Sequence, residues 1–108
     1  MIRRRRSGRL RTVAVAILTY DYVDDIVARR GEHRERHLAL VDRFVAERGL
    51  VVAGATGDGP SGALFVFEDE SDPAAAAAAF VAADPYVGAG LVTASRIEPW
   101  TVVANAWS

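Results

Sequence analysis

The sequence contains no cysteine, which excludes disulfides, thiolate metal sites and a cysteine nucleophile. Such a chain suits a reducing compartment, and cytoplasmic localisation is the expectation. Charge of one sign is also lacking: 13 Lys and Arg oppose 14 Asp and Glu, for a formal net charge of −1. No global field then draws the chain to nucleic acid or to an anionic membrane, so neither is an expected partner. No apolar run approaches the ~20 residues needed to cross a bilayer. Histidine is scarce too, with two in the chain, so any imidazole chemistry falls to His33 or His37.

What is present is the composition of a globular protein, with 51% hydrophobic and 25% charged residues. Its 108 residues fit one domain of the usual size, about 100–150 residues. Residues 1–10, which carry the run Arg3 to Arg6, read as a flexible basic leader, because a block of like charges repels itself and resists burial. A nucleic-acid arm is the sharper reading of that run, and the neutral remainder of the chain argues against it. Val13 to Leu18 is too short and lacks the cleavage site of a secretion signal. Residues 11–108 are expected to form a single domain.

Within that domain, "TVAVAILTY" (Thr12 to Tyr20) is β-branched and apolar, as a central strand requires. From about Val23 to Arg48 the period becomes helical, with Gly31 as a break near the front and Gly49 as the stop. Leu38, Leu40, Val41, Phe44 and Val45 form its apolar arc. "LVVAGA" and "GALFVFE" (Gly62 to Glu68) are two strands of a hairpin around a Gly/Pro/Asp-rich loop. Ser71 or Asp72 caps a second helix from Pro73 to about Ala83, rich in alanine. "LVTASRIEPW" (Leu91 to Trp100) is the last strand, and the apolar tail after it is expected to dock on the domain.

The order β-α-β-β-α-β predicts a ferredoxin-like α+β sandwich, a four-stranded antiparallel sheet with two helices on one face. The opposite sheet face would be apolar and uncovered, so a homodimer pairing sheet to sheet is expected.

Two motifs tempt and fail. "GDGPSG" spells G-x-G-x-x-G with Gly57, Gly59 and Gly62, but it leads into a strand rather than a helix, and Pro60 removes a donor that a phosphate needs. It is a hairpin loop, and no nucleotide cofactor is implied. "HRERH" sets His33 and His37 on one helical face at the zinc-protease spacing. Arg34 stands where that motif needs its glutamate, and no third ligand is evident, so no metal is implied.

Projection of the helix is more informative. With His37 at zero, Phe44 lies near roughly −20°, Val41 near +40°, Arg34 near +60° and Arg30 near +20°. The inward face is apolar at its C-terminal end and cationic in front, and those cations must meet solvent, a ligand or a carboxylate. "ADPYVGAGLV" holds Asp84, which locally reads as the cap of a short turn over Pro85 to Gly88, and that role alone accounts for it.

Taken together, Arg34-x-x-His37-Leu38, the Gly54 turn and Asp84-Pro85-Tyr86 through Gly90-Leu91-Val92 resemble the YciI-like (YCII-related) family over roughly Val13 to Val103. The resemblance implies a small ferredoxin-like protein that pairs through its sheet, with a dyad of His37 and Asp84 in a pocket. It implies a substrate-binding Arg34, and Tyr86 is placed at the pocket rim. "GATGDG" departs from a Gly-Pro common in that turn, and His33 has no counterpart.

A carboxylate on one imidazole nitrogen fixes the tautomer and leaves the other nitrogen for proton transfer. The implied activity is cofactor-independent proton transfer on a small oxygenated acid or lactone, lyase- or isomerase-like, as in dehydrohalogenases and muconolactone isomerases. Two rivals stand beside it. One is a non-catalytic small-ligand or accessory interaction module, favoured by a dry pocket with Asp84 turned away. The other is a cofactor-free oxygenase-like dimeric barrel.

Overall fold

A computed structural model describes residues 14–68 and 71–106. The basic leader, residues 1–10, lies outside the described residues. The elements run β1 (Val15–Tyr22), α1 (Ile26–Arg29), α2 (Gly31–Glu47), β2 (Leu50–Thr56), β3 (Gly62–Glu68), α3 (Pro73–Ala83), α4 (Pro85–Gly88) and β4 (Val92–Pro99).

The strands form one antiparallel sheet in the order β2-β3-β1-β4. This is the ferredoxin-like arrangement, with β1 and β3 in the centre and the helices against one face. Register fixes which side chains meet them: Ala16 pairs with Phe67, Leu18 with Phe65 and Tyr20 with Ala63, and all six are buried. The alternate residues Ile17 and Thr19 on β1, Leu64 and Val66 on β3, and Val52 on β2 share the opposite face.

Helix boundaries follow local chemistry. Asp72 caps α3 by accepting from the Ala75 N–H at 3.0 Å, and Pro73 occupies its first turn. Alanines at 76 and 77 let α3 lie close on the sheet, and Phe80 plugs the centre; all three have no exposed surface. Phe80 meets the rings of Phe44 at 5.2 Å, Phe65 at 4.8 Å and Phe67 at 6.1 Å. A fully buried aromatic at such a junction contributes a few kcal/mol, about 3–5 on truncation.

The long helical stretch is interrupted at Arg30, with Gly31 opening α2, so the break lies where Gly31 places it. Three details differ from the sequence reading. On α2 the buried residues are His37, Leu40 and Phe44, whereas Leu38 and Val45 are 44% and 55% exposed. The contact is centred on the His37–Phe44 line, and residues some 80–100° away on a helical projection reach only its margin. Gly54 lies within β2, opposite Leu64, rather than in the turn. Reversal comes later, at Gly57, whose φ of +95° is in the left-handed region that favours glycine. The described part of the tail buries little: the Trp100 N–H reaches the Val15 carbonyl at 2.9 Å, and residues 101–106 are exposed, Val103 being 93% accessible.

No helix among the described residues is long and apolar enough to cross a membrane.

Candidate active site

Asp84 is both the last cap of α3 and the N-cap of α4. The following Pro85 disfavours helical geometry at residue 84 and holds it extended, at φ −74° and ψ 119°. This turns the side chain back toward the domain, where it is 3% exposed. Its Oδ1 accepts the Tyr86 N–H at 3.0 Å, the capping bond expected of an Asp-Pro pair. The same oxygen lies 2.8 Å from Nδ1 of His37, and Oδ2 accepts the Tyr20 hydroxyl at 2.7 Å. An ionised carboxylate only accepts, so Nδ1 carries a hydrogen toward Asp84, and in the neutral imidazole Nε2 then keeps the lone pair.

The capping role and the contact with His37 therefore coexist on one carboxylate. Tyr20 is the partner that the sequence reading missed. Its signal was the period-two series Ala16, Leu18, Tyr20 on the core side of β1, since a buried tyrosine hydroxyl usually needs an acceptor. Burial, reinforced by the charge of Asp84 and the hydrogen bond to it, pushes the Tyr20 phenol far above its ordinary range. Tyr20 thus remains a donor at any physiological pH.

The His37 ring is held by an aromatic box. Tyr86 stacks on it at 3.9 Å with planes 2° apart, and Phe65 and Phe80 approach edge-on at 6.5 and 6.2 Å. Behind Tyr86 stands a small core of Ile26 and Leu91, so α1 and the entry to β4 set the position of that stack. Tyr86 is 2% exposed and forms the inner wall rather than the rim, and its hydroxyl is buried with no hydrogen-bond partner among the described residues.

His37 opens on a cleft of about 210 Å³ between α2 and the β2–β3 hairpin, below the ~300–1,000 Å³ typical of drug-sized sites. Its walls include Tyr22, Arg30, Arg34, Gly54, Phe65 and Tyr86. Arg34, singled out from the sequence, is at this mouth, together with Arg30. Burial raises the Tyr22 phenol to about 12, with Tyr86 and Asp84 adding to the shift and Arg30 and Arg34 opposing it.

His33 points elsewhere. Arg36 Nη2 donates to its Nδ1 at 2.9 Å, and Glu32 lies 3.6 Å from its Nε2. Among the described residues no three His, Cys, Asp or Glu side chains converge as a metal site would require.

Fold and site define a ferredoxin-like α+β protein with a buried histidine–carboxylate pair at the base of a small cationic cleft. The sequence pattern of the YCII-related domain matches residues 13–101, and the chain belongs to that family. Among solved structures it is similar to the 5-chloro-2-hydroxyhydroquinone dehydrochlorinase of Burkholderia phenoliruptrix AC1100, in complex with 2,5-dihydroxybenzoquinone. That likeness has a TM-score of 0.66 and 25% identity, and covers 81% of this chain and 93% of the other. A nipsnap family protein from Agrobacterium tumefaciens is similar in fold, with a TM-score of 0.53 at 16% identity over 82% and 86% of the chains. A putative antibiotic biosynthesis monooxygenase from Nitrosomonas europaea has a TM-score of 0.56 at 13% identity over 84% and 90%. No curated protein matches the chain.

Proposed function

We propose that the protein is a small-molecule enzyme in which His37 and Asp84 act as a dyad for cofactor-independent proton transfer. The observation that carries this reading is the 2.8 Å contact between His37 Nδ1 and Asp84 Oδ1, with the His37 ring lining the cleft. In this reading Nε2 takes a proton from an acidic O–H or from a C–H next to a carbonyl. Asp84 stabilises the imidazolium that results. The electron pair left on the substrate then either expels a leaving group, giving elimination, or recaptures the proton at another carbon, giving isomerisation. Arg34 holds an anionic oxygen of the substrate, and Tyr86 fixes the imidazole plane and lines the substrate's seat.

The substrate is a small oxygenated ring acid or lactone, matched to the cleft's volume. The dehydrochlorinase relative, whose name states action on a chlorinated hydroxyhydroquinone, supports the elimination branch. Incubation of the protein with 5-chloro-2-hydroxyhydroquinone and with halogenated or unsaturated lactones, followed by chloride release and by deuterium uptake in D₂O, tests the activity. His37→Ala should abolish turnover while the variant stays folded. An active alanine variant rejects the dyad, and binding without turnover in the unaltered protein selects the non-catalytic module instead.

The open sheet face is proposed to pair with a second copy of the chain. Ile17, Leu64 and Val52 leave apolar surface on it, and Arg96 and Glu98 of the neighbouring β4 flank it. An apolar patch rimmed by charge is the usual signature of an interface.

A further inference from the structure

We infer that the mouth of the His37 cleft is an oxyanion site, built by Arg30 and Arg34 beside Tyr22 and Tyr86, and that the ligand is a small ring-borne monoanion rather than a neutral lactone. This rests on the proposed cleft function and adds Arg30 and Tyr22 to it.

Arg30 and Arg34 stand four residues apart at the start of α2, so both project along one helix face into the same cleft. Neither guanidinium has an ion-pair or hydrogen-bond partner among the described residues, although Arg29 pairs with Asp25 at 3.5 Å and Arg96 with Glu98 at 3.5 Å. Two uncompensated guanidinium groups at a helix N-terminus are badly placed, because the helix dipole there already favours negative charge. An anion relieves both their mutual repulsion and that mismatch.

A second observation is independent of the arginines. Tyr86 lines the cleft, and its hydroxyl is buried with no hydrogen-bond partner among the described residues; an unsatisfied buried hydroxyl costs about 1–3 kcal/mol unless a ligand or ordered water completes it. Tyr22 lies beside it, ring centroids 6.1 Å apart at 76°, and lines the same cleft. The wall thus sets two tyrosines beside two guanidinium groups, while in the neutral imidazole the nitrogen of His37 not held by Asp84, Nε2, is the acceptor. Donors to an anion on one side and a base on the other are what an ionised ring oxygen or carboxylate needs, with its remaining acidic hydrogen turned to the imidazole. Gly54 stands opposite on β2, where an added Cβ would meet no atom within 4 Å, leaving room for a planar ring.

The test uses the full chain and an isosteric pair of probes, 2,5-dihydroxybenzoate and its neutral amide, 2,5-dihydroxybenzamide, with binding followed by calorimetry at low and high salt. The carboxylate should bind roughly ten- to a hundredfold more tightly than the amide, the range of a charge-assisted contact. Added salt should narrow that ratio. Arg30→Gln and Arg34→Gln should each reduce it toward unity without altering the melting temperature. His37→Ala should leave the ratio in place even though it removes turnover, so failure of the anion site and failure of the dyad are distinguishable. Equal affinity for the two probes, no measurable binding of the carboxylate, or an unchanged ratio in Arg30→Gln would overturn the inference.

Discussion

Asp84 holds His37 and caps its own helix with the same oxygen: Oδ1 is 2.8 Å from His37 Nδ1 and 3.0 Å from the Tyr86 N–H, while Oδ2 takes the Tyr20 hydroxyl at 2.7 Å. Three donors converge on a carboxylate that is otherwise sealed from water. Asp84→Asn with its amide oxygen in the Oδ1 position keeps both the cap and the His37 Nδ1–H and turns its NH₂ to the Tyr20 oxygen, so the tautomer persists while the charge that stabilises an imidazolium is lost. Turnover should fall by about 10²–10⁴ with only modest loss of stability. Nitrogen chemical shifts of the His37 ring should show the hydrogen still on Nδ1, so that the loss of turnover reports the lost charge; a hydrogen moved to Nε2 would show that the amide had turned over and given up the cap.

Removal of the acceptor altogether has a different signature. Asp84→Ala strands the Tyr20 hydroxyl, the His37 Nδ1–H and the Tyr86 N–H in a buried place, and breaking such a network costs about 3–5 kcal/mol. Tyr20→Phe leaves the ring where it packs edge-on against Phe65 at 5.0 Å and deletes one donor, for about 1–3 kcal/mol. Urea unfolding of the two variants should rank them in that order. Equal losses would mean that Tyr20 is the only donor that matters to Asp84.

Much of this arrangement was legible before the fold was known. Pro73 behind Asp72 marked the start of α3, Gly31 marked the break before α2, and Asp84-Pro85 marked a capped turn, because proline and cap chemistry act within a few residues. The β-α-β-β-α-β order then fixed a ferredoxin-like sheet. What local pattern could not reach was the distance from residue 37 to residue 84, which came only through the family resemblance. Nor could it reach the distance from residue 20 to residue 84, since a tyrosine ending an apolar strand looks like ordinary core. Tyr86 showed the same gap: its ring stacks on His37 inside the wall, and nothing in "DPYV" distinguishes a wall from a rim.

Alkaline pH should weaken the fold through Tyr22. Its phenol is raised from the ordinary 10.0 to about 12, so above pH 10 the unfolded chain releases a proton that the folded chain retains. The stability tied to this group is fully present below pH 10 and is lost as pH rises through 10 to about 12. Tyr20, shifted in the same direction, extends the loss to higher pH. Unfolding free energy measured across this window should decline, and Tyr22→Phe should make the decline shallower; an unchanged slope would reject the assignment.

The sheet face gives a prediction about assembly. Val52 is 37% exposed in the single chain, so Val52→Asp is tolerable in an isolated copy yet places a charge inside a sheet-to-sheet interface. Sedimentation should show the unaltered protein as a dimer and the variant shifted to monomer, with circular dichroism unchanged. A monomeric unaltered protein would reject pairing through this face.

Gly62 tests how closely the hairpin is fitted to β1. A Cβ there would run into the backbone carbonyl of Tyr20 and crowd Thr56 Oγ1 at 3.0 Å, and backbone cannot swing aside as a side-chain tip can. Gly62→Ala must therefore push β3 away from β1 at the Asp21–Gly62 end of their ladder. Overpacking of this kind costs about 1–3 kcal/mol, and here it also displaces Tyr20, whose hydroxyl anchors Asp84. The variant should lose both stability in urea and the fixed tautomer of His37, whereas Gly54→Ala, with open space around its Cβ, should retain both. A Gly62→Ala variant of undiminished stability would show that the strand yields more easily than its pairing implies, and the His37 tautomer would then report whether Tyr20 had moved at all.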